Sequence, residues 1–189
     1  ERLDKHQNPF DRFGTALFGA RKWPRPGAAS FRRVLSIIEE YGQRYHDMSE
    51  AQIDTVIKEL RYELRRQGLR VPLIGQSFAL IREISDRCMG MRHRQCQLKS
   101  GWILMQGMVA EMQTGEGKTL TATLAAGTAA LAGVPTHVIS VNDYLTQRDA
   151  ETMSPIYRRL GLSVGTICAG MSLESRRQAY ACDITYCTN

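Results

Sequence analysis

The chain has 189 residues, of which 43% are hydrophobic and 23% charged, and its net charge is +6. This composition is ordinary for a soluble globular protein and allows a core without disulfides, and the sequence has no apolar run of about 18 residues that would predict a transmembrane helix. The basic excess falls in the first hundred residues, which suits an anionic membrane surface, a nucleic acid or an acidic partner.

Residues 1–30 are predicted to be a partly irregular, basic segment, because prolines and glycines interrupt them repeatedly. Within them, apolar side chains recur at near-helical spacing beside basic ones. Those residues are Phe10, Phe13, Leu17, Phe18, Arg12, Arg21 and Lys22. Such an amphipathic stretch either lies on a membrane interface, docks on a partner or anchors onto the protein's own core.

Residues 31–100 are predicted to be a helical region that precedes the main domain. A first helix begins near Phe31, and a second follows the capping-box pair Ser49 and Gln52 and stops at Gly68. A third helix is expected from about Gln76 to Cys88, with its apolar stripe facing a core.

Residues 101–189 are predicted to form an α/β domain. Two strands are expected at 102–105 and 108–112, and then helices and strands alternate. The helices are expected at 117–132, 142–160 and 172–181, and the strands at 136–141, 163–167 and 183–186. This alternation predicts a parallel sheet with helices on both faces. Because the last strand ends the chain, we also expect an exposed sheet edge and a tendency to self-associate.

The most informative run is 112–119, which matches the phosphate-binding pattern Gly-x-x-x-x-Gly-Lys-Thr except that Met112 replaces the first glycine. Gly115 and Gly117 allow the backbone to approach a polyphosphate closely, and the following helix presents N–H groups to it. Lys118 is expected to contact the β- and γ-phosphates of ATP, and the Thr119 hydroxyl is expected to bind Mg²⁺. Lys118 and Thr119 are therefore the candidate catalytic residues.

Glu116 lies inside this phosphate-binding stretch, so it belongs to the candidate nucleotide-binding residues with its neighbours. An acid at this place is tolerated only if its side chain points outward, and we assign it no catalytic role.

Cysteine and histidine patterns predict no further metal site. The five cysteines include no Cys-x-x-Cys pair and are interpreted as reduced cytosolic thiols. The four histidines are scattered without metal-ligand spacing. Mg²⁺ is thus the metal that the sequence predicts.

Over roughly residues 48–189 the sequence resembles the SecA preprotein-translocase ATPases. The stretches that carry the resemblance are 78–83, 91–93, 97–98, 110–120, 141–145, 147–151, 183–186 and 188–189. Met112 in place of glycine is itself what that family shows. The resemblance implies the first lobe of a helicase-like P-loop motor, with Gln97 reading the adenine edge and residues 142–151 transmitting the nucleotide state.

The resemblance also implies a cellular role. Proteins of that family push unfolded preproteins through the SecY channel from the cytoplasmic face of the membrane, to which they bind peripherally. The basic N-terminal segment could then meet anionic lipid.

Departures from the family pattern limit these expectations. Arg94, Gln95 and Cys96 replace the usual aromatic-acidic-aliphatic triplet before Gln97, and Cys187 stands where glycine is usual. The run of motifs ends before the acidic Walker B motif, so we expect a truncated lobe that binds ATP but hydrolyses little of it.

Two other functions stay open at this point. A helicase-like nucleic-acid-binding domain would use the same fold, although nucleic acid is not the partner we expect. A non-catalytic module that senses nucleotide or docks on a partner is the other alternative.

Overall fold

The structure, a computed structural model, describes residues 28–188. The amphipathic segment predicted between Phe10 and Lys22 lies outside the described residues, so its function stays a prediction.

Four helices form the first half of the described chain, one more than the three that the sequence predicts for residues 31–100. They are α1 (Ala28–His46), α2 (Glu50–Gln67), α3 (Val71–Met89) and α4 (Gln95–Met105). The capping box before α2 is confirmed, since the Ser49 N–H donates to Gln52 Oε1 at 2.8 Å and the Gln52 N–H donates to Ser49 Oγ. α3 begins five residues before the predicted start, because Pro72 lies in its first turn, where no backbone N–H is needed.

The second half alternates between helices and strands. The elements are α5 (Lys118–Leu131), β1 (Thr136–Ser140), α6 (Asp143–Arg159), β2 (Val164–Ile167), α7 (Leu173–Tyr180) and β3 (Ile184–Thr188). The strands form one parallel sheet in the order β1-β3-β2. The predicted α/β class and parallel sheet are confirmed.

The two strands predicted at 102–105 and 108–112 are wrong. Residues 102–105 are the last turn of α4, where Trp102 is buried one turn after Leu98. Residues 108–112 form no strand, and Val109 is 93% exposed. Alternating apolar residues become a strand only when a neighbouring strand accepts their backbone hydrogen bonds, and none of the three described strands pairs with 108–112.

The exposed edges of the sheet do not belong to the last strand, contrary to expectation. β3 is central, with Tyr186 opposite Val138 on one side and Thr166 on the other. Within residues 28–188, β1 and β2 each have one neighbouring strand. The expected self-association stays a prediction, and it would now involve β1 or β2.

Helices cover both faces of the sheet, as predicted. On one face, Ile184 and Tyr186 join a large apolar cluster that also contains buried residues of α1 to α6. On the other face, Ile167 and Cys187 pack with Ala179 of α7. No helix within residues 28–188 is long and apolar enough to cross a membrane.

Candidate nucleotide site

The predicted phosphate loop lies immediately before α5. Gly115 and Gly117 have φ angles of 89° and 83°, a left-handed conformation that glycine adopts without strain. Gly117 is the N-cap of α5 and offers no side-chain cap. The first N–H groups of α5 therefore have no intrahelical or N-cap side-chain acceptor, an arrangement that favours anions.

Gln97, the candidate adenine-reading residue, lies directly against this loop. Its Nε2 donates to the Glu116 carbonyl oxygen at 2.8 Å, and its Oε1 accepts the Arg94 N–H at 2.8 Å. The side chain is buried, with the residue 6% exposed. An amide has two N–H groups and two oxygen lone pairs, so these two bonds leave one donor and one acceptor of Gln97 for other groups.

Lys118 and Thr119 begin α5 and both contact protein groups. Lys118 Nζ donates to the Gln113 carbonyl oxygen at 3.1 Å, and Thr119 Oγ1 donates to Asp149 Oδ2 at 3.4 Å. Lys118 is exposed, so its ammonium group can move from the loop carbonyl to a bound anion.

Glu116 is exposed, but its carboxylate folds back onto the loop and accepts the Gln113 N–H at 2.7 Å. The Glu116 carboxylate therefore accepts a hydrogen bond from one of the loop's own backbone N–H groups. The structure brings all six candidate residues together, since Gln97 contacts the loop that carries the other five.

His93 lies behind the loop and supports α5. Its Nε2 donates to the Leu120 carbonyl oxygen at 3.0 Å, while Nδ1 is buried without a hydrogen-bond partner. Burial lowers the pKa of His93 to about 4, so the ring is neutral at physiological pH. A buried neutral ring whose one N–H is already used has a structural role here.

Arg92, which stands next to His93 in the sequence, is held in an ionic network. Its Nη1 lies 2.9 Å from Glu83 Oε2 and 2.9 Å from Asp86 Oδ2. Glu83 is 2% exposed and also accepts from Arg87 Nε at 2.9 Å. Burial opposes ionisation of Glu83, but the bonds from Arg92 and Arg87 outweigh it and lower its pKa.

Asp149 lies near the loop and has no individual role among the sequence predictions, although it falls within the segment 142–151 that the family resemblance connects with the nucleotide state. The sequence suggests only helix-surface pairs for it, and its Oδ1 does accept from Arg148. Its position on α6 is the feature of the sequence that could have indicated its contact with Thr119. Asp149 comes three residues after Thr146 and one before Ala150, and both of these residues are buried. An acid on the flank of a buried stripe can reach a neighbouring element, here Thr119 of α5.

A separate groove lies elsewhere on the surface. It has a volume of about 780 Å³ and is lined mainly by apolar groups from the end of α4, one side of α5 and β1, including Leu104, Ala125 and Ile139. Residues 113–119 do not line it, so the groove and the phosphate loop are separate features.

Comparison with known proteins settles the family. The sequence profile of the SecA DEAD-like domain matches residues 19–189. The chain belongs to the SecA DEAD-like domain family. The match begins well before residue 48, so the helical region from α1 onward is part of what this SecA-family chain shares with its relatives.

Individual SecA-family relatives extend the likeness over the whole chain. The chain is 44% identical to protein translocase subunit SecA 2 of Nitrosospira multiformis, over 100% of the chain and 29% of the relative. It is 43% identical to the SecA 2 protein of Bordetella avium, over 98% and 28% of the two chains. For the SecA protein of Chromohalobacter salexigens the identity is 46%, over 84% and 17%. The chain thus spans less than a third of the length of these relatives.

Proposed function

We propose that this chain is the ATP-binding part of a protein-translocation motor. The observation that carries the proposal is the 2.8 Å bond between Gln97 Nε2 and the Glu116 carbonyl oxygen. It joins the candidate adenine-binding residue to the phosphate loop in one continuous surface. The two relatives that the chain matches over almost its whole length are both protein translocase subunits.

The triphosphate is proposed to bind at the N-terminus of α5. The loop residues 113–116 are exposed, and the Glu116 N–H, which donates to the Gln113 carbonyl oxygen at 3.3 Å, would exchange that bond for a phosphate oxygen. A left-handed conformation at Gly115 and Gly117 turns successive N–H groups toward one side, as phosphate-binding loops do. Lys118 then exchanges the Gln113 carbonyl for a phosphate oxygen, a stronger charge-assisted partner.

The adenine edge is proposed to bind the remaining donor and acceptor of Gln97. Purine edges carry a donor beside an acceptor, which an amide matches with two parallel hydrogen bonds. Because Gln97 also holds Glu116, the base and the phosphates would be fixed relative to each other. The departure at Arg94, Gln95 and Cys96 changes the residues next to the base and leaves this amide in place.

The donor set at Thr119 fits Mg²⁺. This cation takes oxygen ligands, retains several waters and is commonly held by one or two protein groups together with phosphates. Thr119 Oγ1 offers one such oxygen, and within residues 28–188 no cluster of three or more His, Cys, Asp and Glu forms an all-protein metal site. Bound there through Thr119 Oγ1, Mg²⁺ would supply positive charge that offsets the negative charge of the phosphates.

We propose that this chain alone hydrolyses ATP slowly. Hydrolysis needs a group that orients the attacking water in addition to a phosphate cradle. Among the described carboxylates, Asp149 is the one that hydrogen-bonds Thr119, and one of its oxygens is already held by Arg148. Turnover by the purified chain that disappears in Lys118→Ala would overturn this proposal.

The partners are proposed from the family. The chain would act with a SecY-type channel and unfolded preproteins at the cytoplasmic face of the membrane, and the basic segment 1–30 would contact anionic lipid. Co-sedimentation with anionic vesicles should fall when residues 1–27 are removed. Equal binding to zwitterionic vesicles would contradict the lipid contact.

A titration with the fluorescent methylanthraniloyl derivative of ATP in Mg²⁺ tests the nucleotide site. We expect saturable binding that is lost in Lys118→Ala and weakened about tenfold in Gln97→Ala, because that variant removes two neutral hydrogen bonds of about 0.5–1.5 kcal/mol each. The exposed residues Lys58 and Gln43, which lie outside the proposed site, provide matched controls as Lys58→Ala and Gln43→Ala. Equal losses in the controls, or no binding by the unmodified chain, would refute the proposal and favour a partner-docking module.

The nucleic-acid alternative gains no support from the described arginines that are held in ion pairs. Arg87, Arg92 and Arg159 each pair with carboxylates, so their charges are already compensated. Salt-dependent binding of single-stranded DNA or RNA, with the slope expected for several phosphate contacts, would favour that alternative.

A further inference from the structure

Thr119 and Asp149 are 30 residues apart in the sequence and meet where α5 begins. Thr119 Oγ1 donates to Asp149 Oδ2 at 3.4 Å, a long hydrogen bond between side chains of α5 and α6. The Asp149 side chain is only 19% exposed. A partly buried carboxylate therefore faces the hydroxyl that is proposed to bind Mg²⁺.

The other oxygen of this carboxylate is bonded by a neighbouring residue of the same helix. Arg148 Nη2 and Nε donate to Asp149 Oδ1 at 2.7 and 3.0 Å. Both bonds go to the same oxygen, so Arg148, whose side chain is 50% exposed, offsets part of the charge on Oδ1. Oδ2 is left to face Thr119.

The direction of the Thr119 hydrogen bond matters for a metal. A hydroxyl has one hydrogen and two lone pairs. If its hydrogen is held by Asp149, both lone pairs of Oγ1 stay available to a cation. The carboxylate also places negative charge near the same point, and in metal sites such neighbouring groups orient the ligand and tune its strength.

We propose that Asp149 is a positioning residue for Mg²⁺: through its contact with Thr119 it orients the hydroxyl toward the cation, and its carboxylate strengthens cation binding. This inference rests on the proposed nucleotide function and assigns to α6 a part in the metal site. It also gives a route by which the metal can influence α6, since the contact connects the first turn of α5 to that helix.

The sign of the electrostatic effect distinguishes this function from simple structural support. A carboxylate near the phosphates attracts Mg²⁺ but repels the nucleotide when no metal is present. Replacing Asp149 by asparagine keeps the shape and removes the charge. Nucleotide binding should then weaken in Mg²⁺ and stay unchanged or strengthen in EDTA, whereas damage to the fold would weaken both.

The test is a titration of the whole chain with methylanthraniloyl-ATP in Mg²⁺ and in EDTA, followed by a Mg²⁺ titration at fixed nucleotide. For Asp149→Asn we expect apparent Mg²⁺ affinity to fall about tenfold, the size usual for groups that support a metal ligand. Asp149→Glu should keep part of the affinity, because it retains the charge. Glu151→Gln is the matched control, since Glu151 lies on the same helix but contacts Gln147.

Three outcomes would overturn the inference. Mg²⁺ affinity of Asp149→Asn within about twofold of the unmodified chain would do so while leaving the nucleotide site intact. Equal weakening in Mg²⁺ and EDTA would assign Asp149 a structural role only. Failure of the unmodified chain to bind nucleotide in either condition would remove the proposed function and this inference together.

Discussion

Gly117 lies so close to Gln97 that a β-carbon at position 117 would come within 3.0 Å of Gln97 Nε2. The same nitrogen donates to the carbonyl oxygen of Glu116, the residue just before Gly117. The phosphate loop and the adenine-side amide are therefore packed without room for any side chain between them.

Gly117→Ala is expected to damage the site more than the fold. A residue with a β-carbon at positive φ costs about 1–2 kcal/mol, and the added methyl would displace Gln97 from Glu116. We expect nucleotide affinity to fall and urea unfolding to shift by about that free energy. Gly42→Ala is the control, because Gly42 lies inside α1 with nothing within 4 Å of an added β-carbon. It should leave binding unchanged and stabilise the chain by about 0.5–1 kcal/mol, and unaltered binding in Gly117→Ala would contradict the packing argument.

Glu83→Gln is expected to lower the free energy of unfolding by about 3 kcal/mol. Glutamine keeps the shape but loses the charge that Arg87 and Arg92 bond, and hydrogen bonds to charged groups contribute about 1.5–3 kcal/mol. Each arginine keeps a second carboxylate partner, Glu50 or Asp86, which limits the loss. Urea denaturation measures the change. Glu40→Gln, on the exposed surface of α1, should change stability by less than about 0.5 kcal/mol. Equal effects of the two substitutions would show that the network contributes nothing.

Stability is expected to fall on acidification because of His93. Its pKa is about 4 in the folded chain and 6.5 is the ordinary value, so between these values the unfolded chain binds a proton that the folded chain does not. The free energy of unfolding therefore drops as pH falls from about 6.5 to 4. The drop is up to about 3 kcal/mol, because each tenfold change in proton affinity corresponds to about 1.4 kcal/mol.

Urea unfolding at several pH values measures this dependence. His93→Gln should flatten the curve between pH 6.5 and 4, whereas His137→Gln, at an exposed position, should not. A slope unchanged in His93→Gln would assign the acid sensitivity to other groups.

Gly165→Ala is expected to disturb the packing of α7 on the sheet. A β-carbon at Gly165 would lie 2.8 Å from the Cα of Ala179, and backbone cannot move aside as a side chain can. Overpacking of this kind costs about 1–3 kcal/mol. Thermal unfolding monitored by circular dichroism would measure the loss. A variant as stable as Gly42→Ala, which adds the same methyl in open space, would contradict the close approach.

Most elements with local signals were predictable. Asn142 and Ser172 cap α6 and α7, since each side chain accepts a hydrogen bond from the backbone N–H three residues later. These residue types are typical of helix N-caps, so the sequence alone identifies them. The errors fall between residues 102 and 112, where apolar alternation has no local signal to separate a helix end from an unpaired extended segment. Whether such a segment is a strand depends on a distant partner, and sequence alone does not supply it.

The candidate site divides in the same way. Residues 115–119 are contiguous, so their pattern identifies them. The bond of Gln97 to Glu116 and that of Asp149 to Thr119 depend on how α4 and α6 pack against α5. In the sequence, an ion pair with the adjacent Arg148 is enough to explain an acid at position 149. The contact of Asp149 with Thr119 is therefore visible only in the folded chain.

The central position of β3 has a consequence for synthesis on the ribosome. Within residues 28–188, β1 and β2 do not pair with each other, and the strand that each pairs with is β3, which follows both in the chain. Until Ile184–Thr188 has been translated, the two earlier strands expose unpaired backbone groups, as unfinished sheets do. Helices α1 to α5 can pack as they emerge, but β1 and β2 acquire their shared neighbour only when β3 is made, and until then the nascent chain is open to misassociation through them.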